Sequence, residues 1–309
     1  MKRFLKGIAI FLLPLLIFCI FSEILLRRIP NDYKYKKKYL DINSRYISTL
    51  FLGSSHAFFS INPDFIKSNS FNVAYVSQSL DYDLEILNKY HDKWDSLTCI
   101  VIPVDYFSLF TKLETSVEAW RIKNYTLYYG ININNNISYY SEILSNNLKV
   151  NSKRLYNYYF RHHPDISCSM LGWGTDYNSK SKKDLESTGV SAARRHTAAD
   201  DKEFRDNLEI LQKIIDFAHE KNINVLLFTS PAYKSYVHNL DSTQLKQTIS
   251  AVSLLTLNNN NTEYHNFLND PSFNESDFYD ADHLNVLGAK KFTLKIDSLI
   301  SKENGSTVL

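Results

Sequence analysis

Apolar and polar positions along this chain fall into blocks of two different periods. Residues 46–53 (YISTLFLG), 70–76 (SFNVAYV), 98–104 (TCIVIPV), 223–231 (INVLLFTSP) and 262–268 (TEYHNFL) are short apolar or β-branched runs, and each predicts a strand. The third is continuous rather than alternating, as in a parallel strand buried on both faces. Between the strands the period is helical. Residues 80–94 carry Leu84, Leu87, Tyr90 and His91 at helical spacing. Residues 201–222 put Phe204, Leu208, Leu211, Ile215 and Ala218 on one face, with Glu209 and Lys213 paired outside. Residues 242–255 and 285–303 predict two more helices. Strands alternating with helices predict an α/β fold: a three-layer α/β/α, flavodoxin-like, doubly wound parallel sheet.

This rhythm breaks between about 108 and 200. The stretch is rich in Tyr, Asn and Trp, with WRIKNYTLYYGININNNISYY at its centre and RHHPD and GWGTDY later. It reads as an insertion with some helix and long loops. It either covers a site with aromatic and polar groups, as sugars are often held, or fills a small core of its own.

The N-terminus has no such alternation. Lys2, Arg3 and Lys6 precede an apolar stretch at 7–26, and twenty helical residues span a bilayer core of about 30 Å. Pro14 and Glu23 interrupt it. A cleaved signal peptide would need small residues at its cleavage site, which SEILLRRIP does not offer. A buried core helix would not normally carry basic clusters at both ends. Residues 1–28 are therefore expected to be a transmembrane signal anchor, making the protein single-pass. Residues 29–45 read as a polar, basic juxtamembrane linker, solvated or touching anionic headgroups. The remaining domain occupies 46–309. Arg27, Arg28, Lys34, Lys36, Lys37 and Lys38 follow the span, so the basic count opposes an N-inside placement. The chemistry below favours a body outside the cytoplasm.

Composition narrows the classes. In 309 residues, 44% are hydrophobic and the formal net charge is +2, which supports a sizeable core and argues against nucleic acid as a partner. The three cysteines, Cys19, Cys99 and Cys168, lack metal-ligand spacing. Cys99 and Cys168 could form a disulfide, but two buried thiols fit better. No cofactor is implied.

Candidate chemistry sits at both ends of the domain. FLGSSHAFFSINPDF (51–65) places Ser54 and Ser55 at the end of the first predicted strand, where α/β sheets bind ligands. The helix that follows could aim amides at a negative oxygen. A serine needs a base. His56, its sequence neighbour, would point away from it. FYDADHLNVLGAKKF offers a better source: Asp280 and His283 are three residues apart, so the carboxylate can reach Nδ1 and leave Nε2 for a serine. Asp282 could cap the last helix or stand behind the pair. Asp280, Asp282 and His283 could also hold a cation, but no further clustered ligand is visible.

A strand followed by Gly-Ser-Ser and an apolar helix, with D-x-x-H before the last helix, resembles the SGNH/GDSL hydrolase family. The resemblance covers the chain from about residue 46 onward and rests on a dozen residues in two blocks. It implies Ser55 as nucleophile, His283 as base and Asp280 as its orienting acid, with Ser54 in place of the usual aspartate. In the family's second block a glycine amide serves the oxyanion hole; here Ser77 takes that place, and its backbone N–H can still donate. The third block normally supplies an asparagine. Here it is Asp105, which as a carboxylate cannot donate; Gln78 or Asn124 could substitute. The implied oxyanion donors are the amides of Ser55 and Ser77 together with Gln78. Membrane-anchored members resemble proteins that acylate or deacylate cell-envelope polymers.

The reading is a membrane-bound, extracytoplasmic serine acyl esterase or O-acyltransferase acting on an acylated carbohydrate or a small ester. A membrane-bound acyl donor is a further partner it allows. The alternative is a non-catalytic glycan-binding or assembly subunit of an envelope polysaccharide system. Nothing suggests a peptidase groove.

Overall fold

The computed structural model describes residues 1–133 and 135–306. In chain order the helices and strands are α1 (Lys2–Arg28), α2 (Asp32–Asn43), β1 (Thr49–Phe51), α3 (Ser55–Ser60), β2 (Ser70–Asn72), α4 (Leu80–Lys89), β3 (Cys99–Pro103), α5 (Ile122–Asn124), α6 (Glu142–Ser145), α7 (Leu148–Arg161), α8 (Leu185–His196), α9 (Phe204–Glu220), β4 (Asn224–Thr229), α10 (Lys234–Val237), α11 (Ser242–Asn258), β5 (Thr262–Asn266), β6 (Phe278–Asp280), β7 (His283–Leu284) and α12 (Val286–Ser306).

Five strands form one parallel sheet in the order β2-β1-β3-β4-β5, the flavodoxin-like doubly wound order. The three central strands β1, β3 and β4 are buried almost throughout, which is why their sequences run apolar rather than alternating. Helices flank the sheet: α12 buries Phe292, Ile296 and Ile300 against Phe51, Val101, Leu226 and Phe228. The strands are shorter than the apolar runs that predict them. In the first run, Leu52 already leaves the sheet, although its amide still bonds Val101 O at 3.0 Å.

The chain divides into two compact units. The first comprises Met1–Lys38 and Val117–Ile166; the second comprises Tyr39–Ser116 and Ser167–Leu309 and holds both sheets. The 108–200 stretch is thus divided: its middle packs with the N-terminal segment, and its flanks belong to the sheet unit. Residues 29–45, read as a linker, are largely the helix α2, because Tyr33, Lys36 and Leu40 at helical spacing are buried.

In the first unit, the α1 segment Lys6–Arg28 is long and apolar enough to cross a membrane, with a mean hydropathy of 2.7 in its best window and none of that window buried. At the centre of the unit, the buried Glu142 carboxylate accepts from Lys123, from the Tyr128 hydroxyl and from Arg154 Nη1 at 2.6 Å. Arg154 also donates from Nε to Asp165 at 2.7 Å. Burial opposes charge on Glu142, but Arg154 and Lys123 override it and hold its pKa at about 2. Cys19, Cys99 and Cys168 are free thiols.

Candidate functional site

Gly53 ends the β1 turn at φ +105, a conformation that favours glycine, and a Cβ there would lie 2.5 Å from the Pro103 ring. The chain then enters α3 with Ser54 as N-cap, its Oγ accepting from His56 N at 3.4 Å. From Phe51 to Pro63 every residue but Ser55 is buried. This tight turn therefore presents one hydroxyl outward and seals its neighbours.

That hydroxyl lies 2.9 Å from His283 Nε2, and His283 Nδ1 lies 2.9 Å from Asp280 Oδ1. Asp280 and His283 meet because β6 and β7 form a tight antiparallel hairpin that sets them directly opposite one another. Asn285 fastens this hairpin: its Nδ2 donates to Ser276 O at 2.7 Å and to Phe278 O at 3.2 Å, and its Oδ1 accepts from Leu287 N at 2.8 Å. Asn285, not Asp282, thus caps the start of α12. A hydroxyl bonded to an imidazole whose other nitrogen is held by a carboxylate can give up its proton as it attacks an electrophile.

Behind His283 lies a second buried set. Asp282 Oδ2 is 3.6 Å from His283 Nδ1 and 3.8 Å from His56 Nε2. The His56 ring stands edge-on to His283, with centroids 4.9 Å apart. His56 Nδ1 donates to Asp105 Oδ2 at 2.8 Å, and Asp105 also accepts from Ser230 N at 2.7 Å. Asp105 is therefore an acceptor that anchors His56. Burial opposes charge on His56, but Asp105 and Asp282 override it and raise its pKa to about 10. Burial likewise opposes charge on Asp282, yet His283, His56 and His196 hold its carboxyl well below the usual range. His196 approaches Asp282 Oδ2 at 3.9 Å and shares a 2.8 Å hydrogen bond with the Tyr236 hydroxyl. Burial lowers its pKa to about 3, so it is neutral. His56, Asp282 and His283 are close enough to hold a metal ion, with ligand atoms within 4.8 Å of one another. Of the two histidine Nε2 atoms, that of His283 is already bonded to Ser55 Oγ at 2.9 Å.

The residues after β2 are arranged around a fourth buried acid, Asp83. Ser77 has φ 61, the left-handed region, which explains why a glycine is expected there. Gln78 Nε2 donates to Asp83 Oδ1 at 2.6 Å, and Gly53 N donates to the same oxygen at 2.8 Å. The Gln78 side chain thus joins the two turns through Asp83. Burial pushes the Asp83 carboxyl up to about 7. Asn124, the other substitute donor, belongs to the first unit, where it bonds Tyr33.

The wall beside His283 is aromatic. Tyr177 is stacked between Phe59 and Tyr279, with centroids 3.7 and 3.9 Å away, and its ring edge faces His283 at 5.3 Å. Gly174, from the GWGTDY stretch, lets the chain close over α3; a Cβ there would lie 2.6 Å from Phe58.

The three-residue spacing made Asp280 and His283 readable from sequence as a pair, although the turn expected there is a strand hairpin. The His56–Asp105 pair was not readable, because 49 residues separate its members. Its signal was a double departure: an acid where an amide is expected, and a histidine immediately after the serine.

The sequence matches no family profile and no curated protein. Among solved structures the chain is similar to a protein provisionally assigned as a platelet activating factor from Streptococcus pneumonia, at 11% identity and a TM-score of 0.46 over 94% of this chain and 99% of that one. It is also similar to a provisionally assigned acylhydrolase from Bacteroides fragilis, at 13% identity and a TM-score of 0.41 over 88% of this chain and 97% of that one.

Proposed function

We propose that this protein is a membrane-anchored serine acyl esterase or O-acyltransferase of SGNH type. One observation carries the reading: the unbroken chain from Ser55 Oγ through His283 to Asp280 at 2.9 Å per link, at the carboxyl end of β1. Ser55 attacks an ester carbonyl, and His283 takes the hydroxyl proton and returns it to the leaving alcohol. Asp280 fixes the tautomer and stabilises the imidazolium. The amides of Ser55 and Ser77 are the oxyanion donors. Gln78, already bonded to Asp83, is a weaker candidate for a third. Asp282 and His56 stand behind His283 and set the field around it. The substrate class is an acylated carbohydrate of the cell envelope, with the Phe59–Tyr177–Tyr279 stack as a surface on which a sugar ring could rest. The body lies outside the cytoplasm, tethered by α1.

Turnover of short-chain aryl esters and acetylated sugars by the full chain in detergent tests this. Wild type is expected to release alcohol, and Ser55→Ala is expected to release none above background. A second reading, a non-catalytic glycan-binding subunit, is favoured by Asp105, which accepts where an oxyanion donor is expected. That reading gains if glycan binding persists unchanged in Ser55→Ala while neither protein turns over any ester.

A further inference from the structure

The first unit holds an acid inside the apolar helix. Glu23 lies five residues before the end of α1 at Arg28, about 7–8 Å along the axis. A carboxylate at such a level is costly unless its oxygens are satisfied. Here it takes four hydrogen bonds: from Ser141 Oγ at 2.9 Å, Glu142 N at 2.9 Å, Ile143 N at 3.0 Å and Arg27 Nε at 2.6 Å. Two further bonds tie the same region. The Tyr159 hydroxyl donates to Leu25 O at 3.1 Å, and Arg27 donates to Tyr140 O. Residues 140–143 and the end of α7 are therefore fixed at the level of the last turns of α1. The Glu142–Lys123–Arg154–Asp165 network behind them keeps α6 and α7 in place.

Several of the side chains these segments expose are large and apolar. Ile137 is 78% exposed, Leu144 63%, Leu148 77%, Tyr156 51% and Phe160 75%. On α7, Leu148, Tyr156 and Phe160 fall at spacings of eight and four, which makes one stripe. Lys149, Lys153 and Arg161, all exposed, form the adjoining stripe, and the Arg161 guanidinium lies over the Tyr156 ring at 5.4 Å. Aromatic and aliphatic side chains beside a row of long cations are the composition of a helix lying in a bilayer interface.

We propose that residues 137–161 form a collar that lies in the headgroup region of the bilayer crossed by α1, with Leu144, Leu148 and Phe160 reaching the acyl boundary and Lys149, Lys153 and Arg161 meeting acidic headgroups. This rests on the reading of α1 as a membrane span. The hydrogen bonds to Glu23, Leu25 and Arg27 set the depth of the collar, so the bilayer itself is the partner that covers this apolar face.

The test uses the full chain in nanodiscs containing spin-labelled lipids, with the fluorophore NBD attached to one cysteine at a time. The native Cys19 reports the span. Leu144→Cys and Phe160→Cys, each with Cys19 and Cys168 changed to Ser, report the collar. Cys99, 1% exposed, is left in place. The proposal expects strong loss of emission at 144 and 160 with lipids labelled near the headgroup. It expects loss at 19 with lipids labelled deep in the chains. Loss at 19 with no loss at 144 and 160 from either labelled lipid would overturn the collar while leaving the span. No loss at 19 would overturn the span, and the collar with it.

Discussion

The hydroxyls of Ser54 and Ser55 have different surroundings. Ser54 is buried and caps α3, whereas Ser55 is open to its surroundings and bonded to His283. Ser55→Ala is therefore expected to lower ester turnover by about 10⁴-fold or more, and Asp280→Asn by roughly 10⁴-fold. Ser54→Ala is expected to cost about 1 kcal/mol of stability through the lost cap, read by thermal unfolding. His56 is the cation of Asp105, and it shares Asp282 with the Arg195 guanidinium, which lies 3.7 Å from Asp282 Oδ2. It is buried between the two acids, so His56→Ala would leave the buried Asp105 carboxylate without its cation, at a cost of about 3–5 kcal/mol. The pH dependence has a definite sign. The folded pKa of His56, about 10, lies above its ordinary 6.5, so its contribution is fully present below pH 6.5 and lost as pH rises through about 10. The Asp83 carboxyl is also raised, from 3.8 to about 7, so the stability of its neutral form is fully present below 3.8 and lost as pH rises through about 7. Asp83→Asn keeps an oxygen for Gly53 and Gln78 but cannot ionise. Denaturant unfolding across pH 4 to 8 should show a flatter decline in this variant than in wild type; an equal decline would place the titration elsewhere.

At the scale of elements, two turns bring the site together. The Gly53 turn delivers Ser55, and the β6–β7 hairpin delivers Asp280 and His283. The first turn and the three-residue spacing of Asp280 and His283 were legible in the sequence because each is local, whereas the short strands β6 and β7, a separate two-stranded sheet, were not. The Asp105–His56–Asp282 set and the Asp83 bridge were not legible. They join residues far apart in sequence, and an acid on a helical face reads as solvated until the fold buries it. Asp83 illustrates this, since it lies on the buried face of α4 beside Tyr82, Ile86 and Leu87. The strand lengths were overread for a related reason: apolar residues beyond a sheet's edge are buried in loops as readily as in strands. Ser77 carries the cost of a left-handed backbone without being glycine. Ser77→Gly is expected to raise stability by about 1 kcal/mol, seen as a higher melting temperature. A lower one would mean that the hydroxyl makes a compensating contact.

At the scale of the whole molecule, the chain joins two units of different make-up. The sheet unit is an α/β body with the hydrogen-bonded site at the carboxyl end of its first strand. The other unit is built on an apolar helix and stitched by buried charges. This division was legible only at its first part, the apolar run at 7–26. Residues 117–166 carried no signal that they return to the N-terminal helix, because the bonds from Glu23 and Leu25 cross more than a hundred positions. The account expects the full chain to remain in the membrane pellet after alkaline carbonate extraction, as a spanning helix does. Release into the supernatant would contradict the anchor without touching the site.

The central claim, that Ser55 is an activated nucleophile, is tested most directly by fluorophosphonate labelling of the folded full chain, followed by peptide mapping by mass spectrometry. The account predicts one adduct on Ser55, absent in Ser55→Ala and strongly reduced in His283→Ala. Folded wild-type protein that stays unlabelled, or an adduct that persists in Ser55→Ala, would contradict it.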